Sequence, residues 1–136
     1  KIFDSHLEAL FSALTPGISG TTKRIGGTSE NAGAGLFFTK CIAQSTSNHF
    51  LIYSGDSYFK LRKTPHNKKI EFNPDPRVDF STVKDSLPFF QGTLVGIDMC
   101  IGDTTSFNSL MDNIGNTYRE SVKKMKKNYF KRIKFT

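Results

Sequence analysis

Several residue types and patterns that define other protein classes are scarce in this chain. Tryptophan is absent, and only two cysteines occur among 136 residues. Cys41 and Cys100 lack the Cys-x-x-Cys spacing of a zinc or redox site and stand in apolar surroundings, so we expect two buried thiols in a reducing compartment. No apolar run approaches the ~20 residues that span a bilayer. The sequence also lacks the basic start followed by an apolar run that is typical of a signal peptide. These absences exclude disulfide-rich and membrane-spanning classes and favour a cytoplasmic protein.

Residues for acid–base or metal chemistry are also thinly represented. The three histidines, His6, His49 and His66, share no metal-ligand spacing. Neither Glu8 nor Glu30 has a partner in the sequence that would fix it for water activation. The sequence therefore predicts no catalytic residue and no metal site within this chain.

Positive charge is concentrated in the last quarter of the chain. The net charge is +7. Residues 104–136 hold eight basic and two acidic residues, whereas residues 1–103 hold eleven basic and ten acidic ones. The basic character therefore belongs to a C-terminal tail, and we divide the chain into residues 1–103 and a basic tail of residues 104–136.

Local signals predict two helices and a hairpin in the first half. Ser5 to Glu8 form a Ser-x-x-Glu capping box, and apolar residues then recur at helical spacing. Thr15-Pro16-Gly17 ends this helix, because the residue before proline avoids the helical region. The predicted elements are a helix over 5–14, a helix over 35–45, and strands over 50–54 and 57–62 joined by a Gly55-Asp56 turn.

The second half is predicted to hold a strand and a long helix. Residues 63–79 look irregular, with a short strand at Ile70 to Phe72. Residues 94–101 alternate in polarity, and Val95, Ile97, Met99 and Ile101 form one apolar face. A helix over 104–133 has N-caps among Thr104 to Ser106 and an apolar stripe of Phe107, Leu110, Met111, Ile114, Tyr118, Val122, Met125, Tyr129 and Ile133.

These elements predict an α+β fold. We expect a two-layer α/β sandwich, in which a mixed, largely antiparallel sheet carries helices on one face. The C-terminal amphipathic helix is added to this sandwich.

The most informative segment is the glycine-rich run over 26–38. Four glycines fall within ten residues, and a helix-compatible stretch follows at once. The free N–H groups and the positive dipole end of a helix that starts after such a loop suit a phosphate. A P-loop would need Gly-Lys-Ser/Thr, and a dinucleotide fingerprint would need a third glycine after Gly33-Ala34-Gly35. Both motifs are missing.

A third phosphate loop fits better. Asn31-Ala32-Gly33-Ala34-Gly35-Leu36 resembles the second glycine box of the GHKL ATP-binding domain, which gyrases, heat-shock chaperones, histidine kinases and mismatch-repair ATPases share. The flanking segments follow the family's order, and the resemblance covers about residues 4–102. Residues 7–19 resemble the helix and turn that enter the family's lid, and residues 18–31 resemble the lid itself. The three segments that follow resemble the helix after the glycine box (35–44), the strand that ends in a Ser-Gly turn (50–55) and the strand that a Gly-Thr pair enters (89–101).

The resemblance implies a partial Bergerat-type fold and a nucleotide site. Backbone groups from Gly33 to Leu36, among them Ala34 and Gly35, would hold phosphates, with Asn31 and Ala32 beside them. Thr93 would lie near the adenine. Lid residues that would reach the phosphates, a weaker expectation, are Thr21, Thr22, Lys23 and Arg24. The implied cofactor is ATP with Mg²⁺ in the intact protein, with none held tightly by this chain alone.

Two family motifs are missing from this sequence. One is a helix that carries a Glu and an Asn for water and magnesium, and the other is an Asp-x-Gly-x-Gly loop that recognises adenine. Lys1 stands where that loop would have ended. We therefore expect the C-terminal part of a larger ATPase or ATP-dependent kinase, inactive on its own. A degenerate homologue that never hydrolyses ATP is the other interpretation.

The tail leaves a second class of function open. Its apolar stripe can pack on the sheet or on a neighbouring chain, which makes residues 104–134 a surface for a homodimer or an intramolecular partner. Its charge also fits nucleic acid or an acidic membrane, which the sequence favours less. The alternative function is a non-enzymatic binding or dimerisation module.

Overall fold

The fold is α+β, as predicted. A computed structural model describes residues 5–17, 34–46, 49–98 and 104–135, and for the last helix it describes the side chains of residues 106–128. In chain order the elements are α1 (His6–Leu14), α2 (Gly35–Thr46), β1 (His49–Gly55), β2 (Ser57–Leu61), a 3-10 turn (Pro76–Val78), β3 (Ser81–Lys84), β4 (Phe90–Asp98) and α3 (Thr104–Phe135).

The described strands form one four-stranded sheet in the order β3-β2-β1-β4. All three strand pairs are antiparallel, so the parallel pair that a mixed sheet requires is not among the described strands. β1 and β2 form the predicted hairpin, with Ser54 opposite Ser57. Gly55 has a φ of +64° at this turn, a backbone conformation that glycine adopts without the strain of a Cβ atom.

The sequence-based prediction was wrong for one strand of the second half. Ile70 to Phe72 are irregular rather than a strand, and the polar segment 81–84 forms β3 instead, paired with β2 from Leu61↔Ser81 to Tyr58↔Lys84. β3 is a short edge strand with a single aliphatic residue, so it carries no clear alternation. β4 is confirmed but begins at Phe90, four residues before the predicted start, and Met99 and Ile101 lie outside the described residues.

The helices α1 and α2 cover one face of the sheet. Alternate residues of β1 and β2 point toward them and are buried together with residues of both helices. Removing each leucine, isoleucine or phenylalanine side chain of this core from water contributes roughly 1.5–3 kcal/mol before entropy costs. This core consists of Leu10, Leu14, Ala43, Phe50, Ile52, Phe59 and Leu61.

The predicted start and end of α1 are both confirmed. The Ser5 side chain accepts a hydrogen bond from the Glu8 backbone N–H at 3.1 Å. Thr15 ends the helix in an extended conformation, and Gly17 follows with a φ of +85°. A side-chain cap and a glycine just past the end are common at helix termini.

The long helix α3 packs mainly against α2. Ile114 is fully buried against Phe37 and Cys41, so α2 is enclosed by the sheet on one side and by α3 on another. Around this second core, Leu110 and Tyr118 continue the predicted apolar stripe. α3 begins at Thr104, so Thr104, Thr105 and Ser106 are helical residues rather than the predicted N-caps.

Candidate functional site

The start of α2 is the described part of the glycine box. Gly35 is the first helical residue, and the Ala34 carbonyl accepts the Phe38 N–H at 2.9 Å. The first N–H groups of any α-helix lack an acceptor within the helix. Apart from its chain neighbours and the backbone of α2, a Cβ atom added at Gly35 would meet no described residue within 4 Å, so the described part of the chain leaves the space beside this backbone open.

The side chains around this helix start have different roles. Leu36 packs against the core beneath the sheet, so it anchors the helix. The Thr39 hydroxyl donates to the Gly35 carbonyl at 2.8 Å, which leaves the N–H groups of the first turn untouched. Backbone donors at an open helix start can bind an anion.

A buried ion pair fixes α2 farther along. The Lys40 ammonium donates to an Asp79 oxygen at 2.6 Å, and both side chains are fully buried. Lys40 also donates to the Asn73 carbonyl at 3.0 Å, and the Asn73 side chain donates to the other Asp79 oxygen at 2.9 Å. These hydrogen bonds hold α2 against the segment 73–79. The sequence predicted only that this segment is irregular.

Cys41 lies beside this ion pair. It is a free, buried thiol. Burial raises the pKa of Cys41 to about 12, the Lys40 charge opposes that shift, and the Asp79 charge adds to it. A thiol held protonated in this way is a poor nucleophile and metal ligand, so Cys41 is a packing residue.

Thr93 lies on β4, directly opposite Ser54 of β1. Their hydroxyl oxygens are 3.0 Å apart, and the Ser54 hydroxyl also donates to the Gly92 carbonyl at 3.2 Å. Gly92 has a φ of +145°, which glycine tolerates best. The Ser54–Thr93 pair is an exposed polar group at the end of the sheet.

An uncovered apolar surface continues from this pair along β4. Val95 and Ile97 are opposite Ile52 and Phe50, so they lie on the face that α1 and α2 cover elsewhere. Val95 is nevertheless 40% exposed and Ile97 is 37% exposed. Flat aromatic or aliphatic ligand surfaces are commonly bound by such apolar side chains with a few polar groups beside them.

The structure describes four of the eleven predicted site residues. Ala34, Gly35 and Leu36 form the helix start, and Thr93 lies on β4. Asn31, Ala32 and Gly33 of the glycine box, and Thr21, Thr22, Lys23 and Arg24 of the lid, lie outside the described residues.

Some residues of this region had no role in the sequence prediction. Ser54 was predicted as the end of a strand, but the register that sets it against Thr93 has no local signal. Lys40, Asn73 and Asp79 are up to 39 residues apart, so no spacing rule connects them. Within the described ranges, no group of three or more His, Cys, Asp or Glu side chains could hold a metal ion.

A concave surface lies between α3 and the 3-10 turn. It has a volume of about 510 Å³ and is open to solvent. Its lining includes Pro74, Asp75, Val78, Glu120, Lys124 and Met125. The mixed charges of Asp75, Glu120 and Lys124 give this groove no strong preference for an anion.

Comparisons with protein families, with curated proteins and with solved structures give no match for this chain. None of the described helices is both long enough and apolar enough to cross a membrane. The resemblance to GHKL domains therefore depends on the sequence motifs alone.

Proposed function

We propose that this chain binds ATP as part of a GHKL-type ATP-binding domain and holds the phosphates at the start of α2. The observation that carries the proposal is the helix start at Gly35, where an added Cβ atom would meet no other described residue within 4 Å apart from its chain neighbours and the backbone of α2 itself. Phosphate binding needs backbone N–H groups that a ligand can approach closely. The glycine box supplies that backbone, and the helix dipole favours the negative charge.

The chain order supports a place for the other residues of the proposed site toward the same end of the sheet. Only two residues separate α2 from β1, and we infer from this short connection that the helix and the strand run in roughly opposite directions. We therefore expect the start of α2 to lie toward the end of β1, where Ser54 pairs with Thr93. In this proposal the hydroxyl pair and the exposed Val95 and Ile97 face the nucleoside, while α2 faces the phosphates.

In this proposal the described residues bind and orient the nucleotide and do not catalyse its hydrolysis. Oxygen ligands are what Mg²⁺ requires, and the described residues hold no cluster of three or more acidic or histidine side chains. In our proposal the metal that accompanies ATP is held by groups other than those described. The buried Lys40–Asp79 pair holds α2 in place and does not contact the ligand.

Limited trypsin digestion of the full-length protein tests this proposal. Trypsin cleaves after Lys23 and Arg24, which the resemblance places in the lid. Mg-ATP should slow this cleavage, and the ligand should raise the free energy of unfolding by about 2.7 kcal/mol at a hundredfold excess over its Kd. Unchanged cleavage and unchanged stability at millimolar Mg-ATP would contradict the proposal.

Two glycine substitutions separate phosphate binding from folding. G35A should abolish the protection, because the methyl group fills the space that the phosphates need. The same change should leave stability equal or raise it by up to about 1 kcal/mol, since alanine favours a helix. G96A is the matched control, because its Cβ would make only an ordinary 3.9 Å contact with Leu51; it should keep the protection.

A further inference from the structure

The exposed side of α3 carries a row of cations. Lys123, Lys126 and Lys127 are spaced three and four residues apart, so they share one face of the helix. All three are exposed, and within the described part of the chain no carboxylate forms an ion pair with them. Arg119 precedes them by one turn, with its guanidinium bonded to the Asn116 side chain at 2.6 Å.

Part of the apolar side of the same helix packs against the protein. Ile114 is buried against α2, Leu110 and Tyr118 pack beside it, and Met125 lines the groove beside the 3-10 turn. An amphipathic helix binds a bilayer by inserting its apolar face. Because Leu110, Ile114 and Tyr118 of this face pack on the protein, the charged face is the one that remains for a partner.

We infer that this cationic face, Arg119 with Lys123, Lys126 and Lys127, binds the phosphate backbone of nucleic acid. Residues four apart rise by about 6 Å along a helix, so the row offers regularly spaced positive charges to a linear polyanion. Lysine and arginine contacts to phosphates bind without sequence preference, by releasing counterions. The surface is on α3 and does not depend on ATP binding at α2.

Salt dependence of binding to a duplex of arbitrary sequence tests this inference with the full chain. For about four phosphate contacts, the slope of log K against log salt should be roughly −3.6, a loss of about a hundredfold between about 50 and 200 mM salt. The variant K123Q/K126Q/K127Q should flatten that slope by about three. It should also weaken binding at about 50 mM salt by tenfold or more. Glutamine matches lysine in helix propensity, so helicity by circular dichroism should be unchanged.

The matched control is K63Q/K68Q/K69Q, which removes the same charge from three exposed lysines elsewhere on the protein. It should keep most of the affinity. An equal loss in the control would mean that net charge alone attracts the duplex, and would overturn the inference, as would no binding at about 50 mM salt. Binding to vesicles of phosphatidylserine and phosphatidylcholine but not to the duplex would assign the face to membranes and would also overturn it.

Discussion

At the scale of single residues, the most distinctive side chains are a thiol and an ion pair that are both withdrawn from water. Cys41, Lys40 and Asp79 lie together where α2 is enclosed on two sides. Burying a charge is costly unless it is paired and hydrogen-bonded. Here both Asp79 oxygens accept hydrogen bonds, and Lys40 donates two, which explains how the pair is tolerated.

The raised pKa of Cys41 predicts a loss of stability at alkaline pH. An unfolded thiol releases its proton near pH 9, whereas the folded thiol keeps it to about pH 12. The contribution of Cys41 is therefore complete below pH 9 and falls above it, by up to about 1.4 kcal/mol per pH unit. We expect urea unfolding in a C100S background to show this fall between pH 8 and about 10.5.

The matched variant for this measurement is C41A in the same background. It lacks the titrating group, so its stability should fall less steeply over the same range, even though other residues titrate in both proteins. Parallel pH profiles for the two proteins would contradict the raised pKa.

At the scale of elements, the Lys40–Asp79 network joins α2 to a segment without regular structure. D79N leaves the Lys40 charge buried without its counter-ion, so we expect a loss of about 3–5 kcal/mol in the free energy of unfolding. D75N is the control: Asp75 pairs with Arg77 at 3.5 Å on the surface, and exposed pairs contribute less than about 1 kcal/mol.

Chemical denaturation measures the free energy of unfolding of D79N and D75N and shows whether the buried pair contributes more than the exposed one. Asparagine can still cap the 3-10 turn at position 75, where the aspartate side chain accepts the Arg77 N–H, so the control changes little besides charge. Equal stabilities for D79N and D75N would show that the buried network does not hold α2.

The elements that the sequence predicted well are those with local signals. The Ser5 cap, the Gly55 turn and the 3.6-residue period of α3 each specify structure within a few residues. β3 could not be found this way, because Ser81 to Lys84 become a strand only through pairing with β2. Of the candidate site, the helix start at Gly35 was predictable, whereas the Ser54–Thr93 pair depends on a strand register set by residues about 40 positions apart.

At the scale of the whole molecule, one side of the sheet ends in an apolar strand. β4 pairs with β1 alone among the described strands. Its residues Phe90, Leu94, Val95 and Ile97 are all exposed by more than a third. Long apolar edge strands invite pairing with another chain, so this protein should self-associate at high concentration.

A lysine on the edge strand should suppress that association. L94K places a charge on an exposed residue of β4 and should lower light scattering and sedimentation mass at high protein concentration, at a stability cost of less than about 1 kcal/mol. V78K is the matched control, since Val78 is exposed in the 3-10 turn and belongs to none of the described strands. Equal suppression by V78K would attribute the effect to net charge rather than to the edge.

The position of α2 between two cores has a mechanical consequence. Close-packed interiors transmit displacement rather than absorb it. We therefore expect a ligand that shifts the start of α2 to press Phe37 and Cys41 against Ile114 of α3. Coupling between two binding sites is thermodynamically reciprocal. If Mg-ATP changes the affinity of α3 for a polyanion, the polyanion must therefore change the affinity for Mg-ATP by the same factor, and α2 is the element through which the two sites would be coupled.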